Sequence, residues 1–177
     1  MTKDYHIGTV MIGEKEISER AAEIGKLITK DFEGEEVLVV GILKGAVLWL
    51  ADLIRNIELE VEMDFMAVSS YGASTKSTGA VKIIKDLDCL IEGKNVIIVE
   101  DIVDSGITLN YLKNYLLGMA PKTLKICTFL DKPSGRAIDI DVDYTGFVVE
   151  DKFIVGYGLD YAQKYRNLPY ITCLSDD

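Results

Sequence analysis

The run Val37 to Leu43 (VLVVGIL) limits the fold more than any other stretch of the chain. It is unbroken in apolarity and rich in Val, whereas a strand with one wet face alternates. Such a run is a strand buried on both faces, the condition met in parallel sheets whose crossover helices cover both sides. Val96 to Val99 (VIIV) repeats the pattern, and Leu124 to Leu130 supplies another strand. Between them, Ala46 to Arg55 and Leu109 to Leu117 have the composition and length of helices. Ahead of them, Ile17, Ala21, Ile24 and Ile28 recur at steps of four, three and four, opposite Glu19, Arg20, Glu23 and Lys26, which predicts a helix from Ile17 to Phe32 closed by Gly34. Val61 to Ser70 and Val81 to Leu87 form either a long antiparallel pair or a strand with a mobile connection. The later runs Phe147 to Val149, Ile154 to Val155 and Tyr170 to Leu174 have no clearly amphipathic helix between them. Strands alternating with helices predict an α/β fold with right-handed crossovers and a central parallel sheet. Ligands of such sheets bind beyond the carboxyl ends of the strands, so the loops after Leu43, Val99 and Leu130 are the places to look for chemistry.

Composition narrows the function classes. With 177 residues, 49 % hydrophobic and 27 % charged, the chain can bury a real core and suits one domain over residues 1–177. No repeat, low-complexity segment or Pro-rich linker interrupts it. The net charge of -10 speaks against nucleic-acid or anionic-membrane partners, which need clustered Lys and Arg. Any phosphate must therefore be held locally. Cys89, Cys127 and Cys173 are odd in number and widely spaced, which fits a reducing cytoplasm and not a disulfide framework. No signal peptide is visible in Met1 to Val10. The longest near-apolar segment, Gly41 to Ile54, is interrupted by Lys44 and Asp52 and is shorter than the roughly 20 apolar residues of a membrane span.

The most informative segment is Val96 to Thr108 (VIIVEDIVDSGIT). A buried strand ends in the adjacent carboxylates Glu100 and Asp101, and a loop of Asp104, Ser105, Gly106, Ile107 and Thr108 then enters a helix. Backbone N–H groups at such a turn, with the helix dipole and two hydroxyls, suit a phosphate monoester, and Gly106 permits close approach. Three carboxylates beside that cradle would repel phosphate unless they face sugar hydroxyls or Mg²⁺. The combination points to a sugar phosphate. Taken alone, Asp104-Ser105-Gly106 is an ordinary capped turn; the buried strand, the acidic pair and Thr108 together outweigh that reading.

VEDIVDSGITL resembles the phosphoribosyl-pyrophosphate signature of the type I phosphoribosyltransferases, two acidic residues followed by a D-S/T-G-x-T loop. Other segments narrow the resemblance to the hypoxanthine-guanine phosphoribosyltransferases. Leu43-Lys44-Gly45 is similar to that family's pyrophosphate loop, Ser70-Tyr71-Gly72 to the start of its mobile flap, and Asp131-Lys132-Pro133 to its base-reading loop. The segment DKFIVGYGLDY from Asp151 to Tyr161, with Arg166 beyond it, is similar to its purine and metal segment. The matches run in the family's order over roughly Val37 to Leu174. Glu150-Asp151 stands where the family often has Pro-Asp, and Ser105 replaces the Thr of some members.

The resemblance implies a type I phosphoribosyltransferase fold, with helices flanking the central sheet, a small hood subdomain and a mobile flap. It implies transfer of 5-phosphoribosyl from phosphoribosyl pyrophosphate to N9 of a 6-oxopurine, with Mg²⁺, through an oxocarbenium-like transition state. Residues 104–108 would then hold the 5-phosphate, and Glu100 and Asp101 would face the ribose hydroxyls directly or through Mg²⁺. Asp104 would be the general base or acid near purine N7, with Asp101 the alternative. Lys44, Gly45 and Arg166 would meet pyrophosphate, with a cis Leu43-Lys44 peptide. Lys132 would donate to O6, Phe153 would stack on the base, Ile154 would read its edge through the backbone, and Asp160 would hold a further Mg²⁺. Ser70 and Tyr71 would close the flap and exclude water. Family members are homodimers or homotetramers.

Two other classes are weaker readings. A signalling receiver domain also pairs acids at a strand end and places Lys-Pro after a later strand, but it needs a phosphorylated Asp between Val103 and Leu130, where only Asp104 in the Gly loop occurs. A gene-regulating phosphoribosyl-pyrophosphate binder would need a basic face. His6 is the only histidine, which leaves no histidine triad or zinc cluster to build.

Overall fold

The computed structural model describes residues 6–70 and 81–175. In chain order its elements are β1 (His6–Ile12), α1 (Glu14–Asp31), β2 (Val37–Leu43), α2 (Val47–Ile54), β3 (Val61–Ser70), β4 (Val81–Lys85), β5 (Asn95–Val103), α3 (Ile107–Leu117), β6 (Thr123–Asp131), a 3-10 turn (Pro133–Gly135), β7 (Tyr144–Val148), β8 (Ile154–Val155) and β9 (Ile171–Ser175). Six strands make the larger sheet in the order β4-β3-β2-β5-β6-β7. All its pairings are parallel except β3 with β4. The antiparallel β3-β4 pair settles the choice left open by residues 61–87.

The unbroken apolar runs fall where two-sided burial needs them. Along β2, Val37 and Val39 pack into the cluster that contains Trp49 and Leu50 of α2 and Ile24 and Ile28 of α1. Leu38, Val40 and Ile42 pack into the opposite cluster, with Leu109, Leu112 and Leu116 of α3. β5 divides in the same way, Ile97 and Val99 to one side and Val96 and Ile98 to the other. Successive side chains of a strand point to opposite faces, so a run with no polar member is what a sheet covered by helices on both sides demands.

α1 begins at Glu14, earlier than the apolar period suggests, because its first turn is held by charge and capping. Glu14 and Glu16 sit at the positive end of the helix, and the Gly13 N–H donates to Glu16 Oε2 at 2.8 Å. Arg20, on the polar side of the expected helix, donates instead to the carbonyls of Gly146 (2.9 Å) and Thr145 (2.7 Å). Those carbonyls lie on β7, the edge strand, and the guanidinium covers an edge that would otherwise be free to pair.

The remaining strands form a smaller antiparallel sheet in the order β1-β9-β8. β1 was not legible in the sequence because its residues are mostly exposed and carry no continuous apolar run. Among the described residues no helix is long and apolar enough to cross a membrane. The two sheets share one aromatic core. Phe129 of β6 packs on Trp49 (ring centroids 4.9 Å apart), on Tyr157 (5.0 Å) and edge-on to Phe147 (5.9 Å). Phe129 is fully buried. Phe129→Ala is expected to lower unfolding free energy by about 3–5 kcal/mol, the range for large aromatic truncations in a core, as read from urea unfolding.

Candidate active site

Parallel pairing of β5 with β6 aligns Glu100 with Thr128, Ile102 with Leu130 and Val103 with Asp131. The loops that leave these strands therefore lie side by side at the carboxyl edge of the sheet. They contribute to two cavities. One, of about 100 Å³, is lined by Glu100, Asp104, Ser105, Gly106 and Thr108, among others. The other, of about 240 Å³, is lined by Asp101, Asp104, Lys132, Phe153, Ile154 and Asp160, among others. Asp104 belongs to both.

The smaller cavity has the form of an anion cradle. Gly106 caps the amino end of α3 with φ +78°, a left-handed conformation that glycine adopts without penalty. A Cβ there would also stand 2.5 Å from the Ile138 carbonyl oxygen. The amino end of α3, with the positive end of its dipole, thus lies at the cavity that Ser105, Gly106 and Thr108 line, and the Ile107 N–H there reaches Ser105 Oγ at 3.4 Å.

Glu100 and Asp101 end the buried part of β5, and Glu100 is only 8 % exposed. Burial pushes the Glu100 carboxyl well above the usual carboxylate range, and the neighbouring Asp101 charge adds to the rise. Burial raises Asp101 as well, against hydrogen bonds from the Glu100 side chain and the Ile102 N–H and the pull of Arg166. Neither carboxylate has a salt-bridge partner among the described residues. A buried acidic pair without a cation fits a hard divalent ion or sugar hydroxyls, both of which supply what the protein withholds. Asp160 is differently placed. One oxygen pairs with Arg166 Nη2 at 2.6 Å and the other accepts the Gln163 N–H at 2.8 Å. Among the described residues no three acidic, His or Cys side chains cluster as a metal site, so Asp160 does not join Glu100 and Asp101.

The Leu43-Lys44 peptide is cis. Gly45, next in sequence, lies against Asp101: a Cβ on it would stand 1.5 Å from Asp101 Oδ2. Lys44 Nζ and Arg166 Nη2 both reach Gln163 Oε1, each at 3.4 Å, so two cations far apart in sequence converge on one amide. Arg166 Nη1 also donates to the Gly158 carbonyl at 2.7 Å. Gln163 gave no signal in the sequence.

In the larger cavity Lys132 is nearly buried and pairs with Asp151 at 2.6 Å and Asp104 at 3.5 Å. The hydrogen bond to Asp151 keeps the ammonium firmly protonated, more than burial opposes it. Asp151 is thus a partner of Lys132, a role its place in the Glu150-Asp151 pair did not reveal. Phe153 is 55 % exposed, edge-on to Tyr161 at 5.4 Å, whereas Ile154 is buried. An exposed ring at a cavity wall is free to stack on a planar ligand. The flap residues 71–79 expected to close the site, Tyr71 among them, lie outside the described residues; Ser70 ends β3.

Residues 11–162 match the phosphoribosyl transferase domain family. The chain is 53 % identical over 170 residues to the hypoxanthine-guanine phosphoribosyltransferase of Bacillus subtilis, covering 96 % of this chain and 94 % of that one. The chain belongs to this family. Its structure superposes on a crystal structure of the hypoxanthine-guanine phosphoribosyltransferase from Bacillus anthracis with a TM-score of 0.91, at 48 % identity over 97 % of this chain and 99 % of the other. It is also 51 % identical to the bifunctional protein TilS/HprT of Listeria monocytogenes over 97 % of this chain, and it spans 26 % of the length of that relative. The α/β fold with a mostly parallel sheet is that of the type I phosphoribosyltransferases.

The buried acidic pair carries a testable pH dependence. A carboxyl whose pKa is raised on folding adds stability below its unfolded pKa, and that stability is lost as pH rises through the folded pKa. Glu100→Gln is therefore expected to raise Tm of the ligand-free protein at pH 7.5 by at least about 2 °C, with the difference vanishing below about pH 4. Thermal unfolding followed by circular dichroism across pH decides it; a lower Tm at pH 7.5 would mean that the Glu100 charge is compensated.

Proposed function

We propose that this chain is a purine-salvage pentosyltransferase that moves 5-phosphoribosyl from phosphoribosyl pyrophosphate to N9 of hypoxanthine, guanine or both, releasing pyrophosphate. One observation supports this most. An anion cradle at the amino end of α3 adjoins a cavity walled by a lysine and an exposed aromatic ring, with Asp104 shared between them. That is the arrangement needed to hold a sugar phosphate and a planar base across a common reacting atom. The relatives' own naming as hypoxanthine-guanine phosphoribosyltransferases supports it.

In this reading residues 104–108 bind the 5-phosphate through backbone N–H groups and hydroxyls. Lys44, Gly45 and Arg166 take pyrophosphate, the guanidinium with its forked pair of donors. Glu100 and Asp101 face the ribose 2- and 3-hydroxyls or hold Mg²⁺, and Asp160 adds a carboxylate on the pyrophosphate side once Arg166 turns to substrate. Mg²⁺ bound here would neutralise charge on the donor and its leaving group. Lys132 donates to O6, which favours oxo over amino at that position. Phe153 stacks on the base, and Ile154 presents backbone groups to its edge. As the C1–O bond to pyrophosphate breaks and the N9–C1 bond forms, Asp104 takes the proton that the purine gives up. Tyr71 and the flap exclude water that would otherwise capture the ribosyl carbon. The same reading takes residues 1–177 as one domain, in the cytoplasm, as a homodimer or homotetramer.

A pyrophosphate-release assay with hypoxanthine, guanine, xanthine or adenine, phosphoribosyl pyrophosphate and Mg²⁺ tests the reading. Turnover with a 6-oxopurine, lost on chelation of the metal, is expected; tight donor binding with no turnover on any purine would show a sensor instead. Asp104→Asn is expected to cut kcat by about 10²–10⁴, the usual worth of a general base, while donor affinity changes little. Lys132→Ala should erode selection against adenine, measured as the ratio of kcat/KM for hypoxanthine and adenine. A ratio equal to that of the parent would remove Lys132 from O6 recognition.

A further inference from the structure

Asp104 is only loosely held by contacts of its own side chain. Its side chain is 53 % exposed, and its only side-chain partner among the described residues is Lys132 at 3.5 Å, an ammonium already claimed by Asp151 at 2.6 Å. A base that must meet a purine proton at hydrogen-bond distance needs firmer placement than that.

The missing support comes from the turn that follows Lys132. Arg136 Nη1 donates to the carbonyl oxygens of Val103 and Asp104, each at 2.7 Å, and its Nη2 donates to the Asp131 carboxylate. Both partners of that ion pair are largely buried, at 16 % and 17 % exposure. The Lys132 N–H donates to the Val103 carbonyl at 3.0 Å, and the N–H groups of Ala137 and Ile138 donate to the Ser105 carbonyl at 3.0 Å. Three successive carbonyls of the catalytic loop are thus held by residues 132–138. Gly135 completes the seat. A Cβ on it would stand 1.8 Å from Asp104 Oδ1 and 3.0 Å from Asp104 Cγ. Its φ is not in the left-handed region, so the Asp104 carboxylate, and not the backbone, is what forbids a side chain there.

We propose that the turn formed by residues 133–136 is the positioning element for Asp104, with Arg136 clamping the backbone beneath it and Gly135 forming the floor on which its carboxylate rests. This rests on Asp104 being the base. Gly135 and Arg136 touch no reacting atom; they act through Asp104. The chemistry explains the residue types. Only a guanidinium has enough donors, in a fixed plane, to serve two carbonyls and a carboxylate together, and only a glycine leaves room for the carboxylate.

Gly135→Ala separates the two kinds of role. The added methyl meets the end of a flexible side chain, so folding should survive, but the carboxylate must swing away from its place. A displacement of about 1 Å at a reacting group can cost about 10²-fold. The expected result is a 10- to 100-fold lower kcat, estimated roughly on that basis, with KM for phosphoribosyl pyrophosphate within about twofold of the parent and Tm within about 2 °C. Because the effect passes through Asp104, Gly135→Ala placed on Asp104→Asn should cost less than about twofold more. Arg136→Lys, which keeps the charge on Asp131 but loses the fork, should follow the same pattern and serves if Gly135→Ala does not fold. Equal losses in the parent and Asp104→Asn backgrounds, or parental kcat in Gly135→Ala and Arg136→Lys, would overturn the inference. Parental turnover in Asp104→Asn alone is a different result: it would overturn the assignment of the base.

Discussion

The in-register parallel pairing of β5 and β6 is the constraint from which the site follows. Val103 faces Asp131 across the ladder, so the residues just beyond, Asp104 and Lys132, must emerge as neighbours. Neither loop could reach the other if the register slipped, because the side-chain period of a strand is two and a shift of one residue would turn the buried face outward. The unbroken apolarity of β5 does not itself prevent such a slip. The aromatic packing on β6 does: Phe129 is wedged among Trp49, Phe147 and Tyr157, and only one alignment puts it there. Core packing thus fixes the relative height of the two loops before any ligand is considered.

Charge is arranged on two scales. The chain as a whole carries -10, yet the groups suited to phosphate are local: the helix terminus at Gly106, and Lys44 and Arg166 converging on Gln163. Glu100 and Asp101 are a local excess of the opposite sign, the first buried and the second half-buried at a strand end, without a salt-bridge partner among the described residues. Burying an uncompensated carboxylate pair opposes folding, and a core sequence chosen for stability alone would place apolar side chains there. The pair makes sense as a site whose energy is recovered when a cation or hydroxyl donors arrive. The global charge carries no such information, since most of the acidic residues lie on exposed helix faces and loops.

How much of this was legible in the sequence differs by kind of signal. β2, β3 and the helices were readable because burial on one or two faces imposes a period on the residues, and the larger sheet followed from their alternation. The acidic pair and the Gly106 loop were readable because several unusual residues stand together at a strand end. β1 was not, being an exposed edge with little apolar pattern. Arg136, Gly135, Asp151 and Gln163 were missed for another reason. Each acts on a residue distant in sequence, Arg136 on Val103 and Asp151 on Lys132, and nothing in the local string marks an arginine that clamps a carbonyl from one that faces water. Gly135 carries no local mark in the sequence; only the position of Asp104 Oδ1 shows what it makes room for.

The two sheets divide the proposed substrate contacts between them, and the seam is where they must agree. Glu100, Asp101 and the loop from Asp104 to Thr108 hang from the larger sheet, whereas Phe153 and Ile154 are fixed by the smaller one through the pairing of Ile154 with Cys173 and the Leu174 N–H on the Phe153 carbonyl at 2.9 Å. Close contacts besides the aromatic core tie the halves. The Tyr157 hydroxyl donates to the Asp52 carboxylate on α2, and Gly158 lies so close to Gly45 that a Cβ would stand 2.0 Å from its carbonyl oxygen. Tyr157, Ala162, Gln163 and Tyr165 all adopt positive φ, a cost that persists only where surrounding contacts impose it. The segment from Phe153 to Arg166 is thus folded back on the Lys44-Gly45 loop by contacts that a looser chain would shed. Gly45 in turn rests on Asp101, so the Phe153 to Arg166 segment, the Lys44-Gly45 loop and the acidic pair form one stack, and a displacement at any layer is passed to the next.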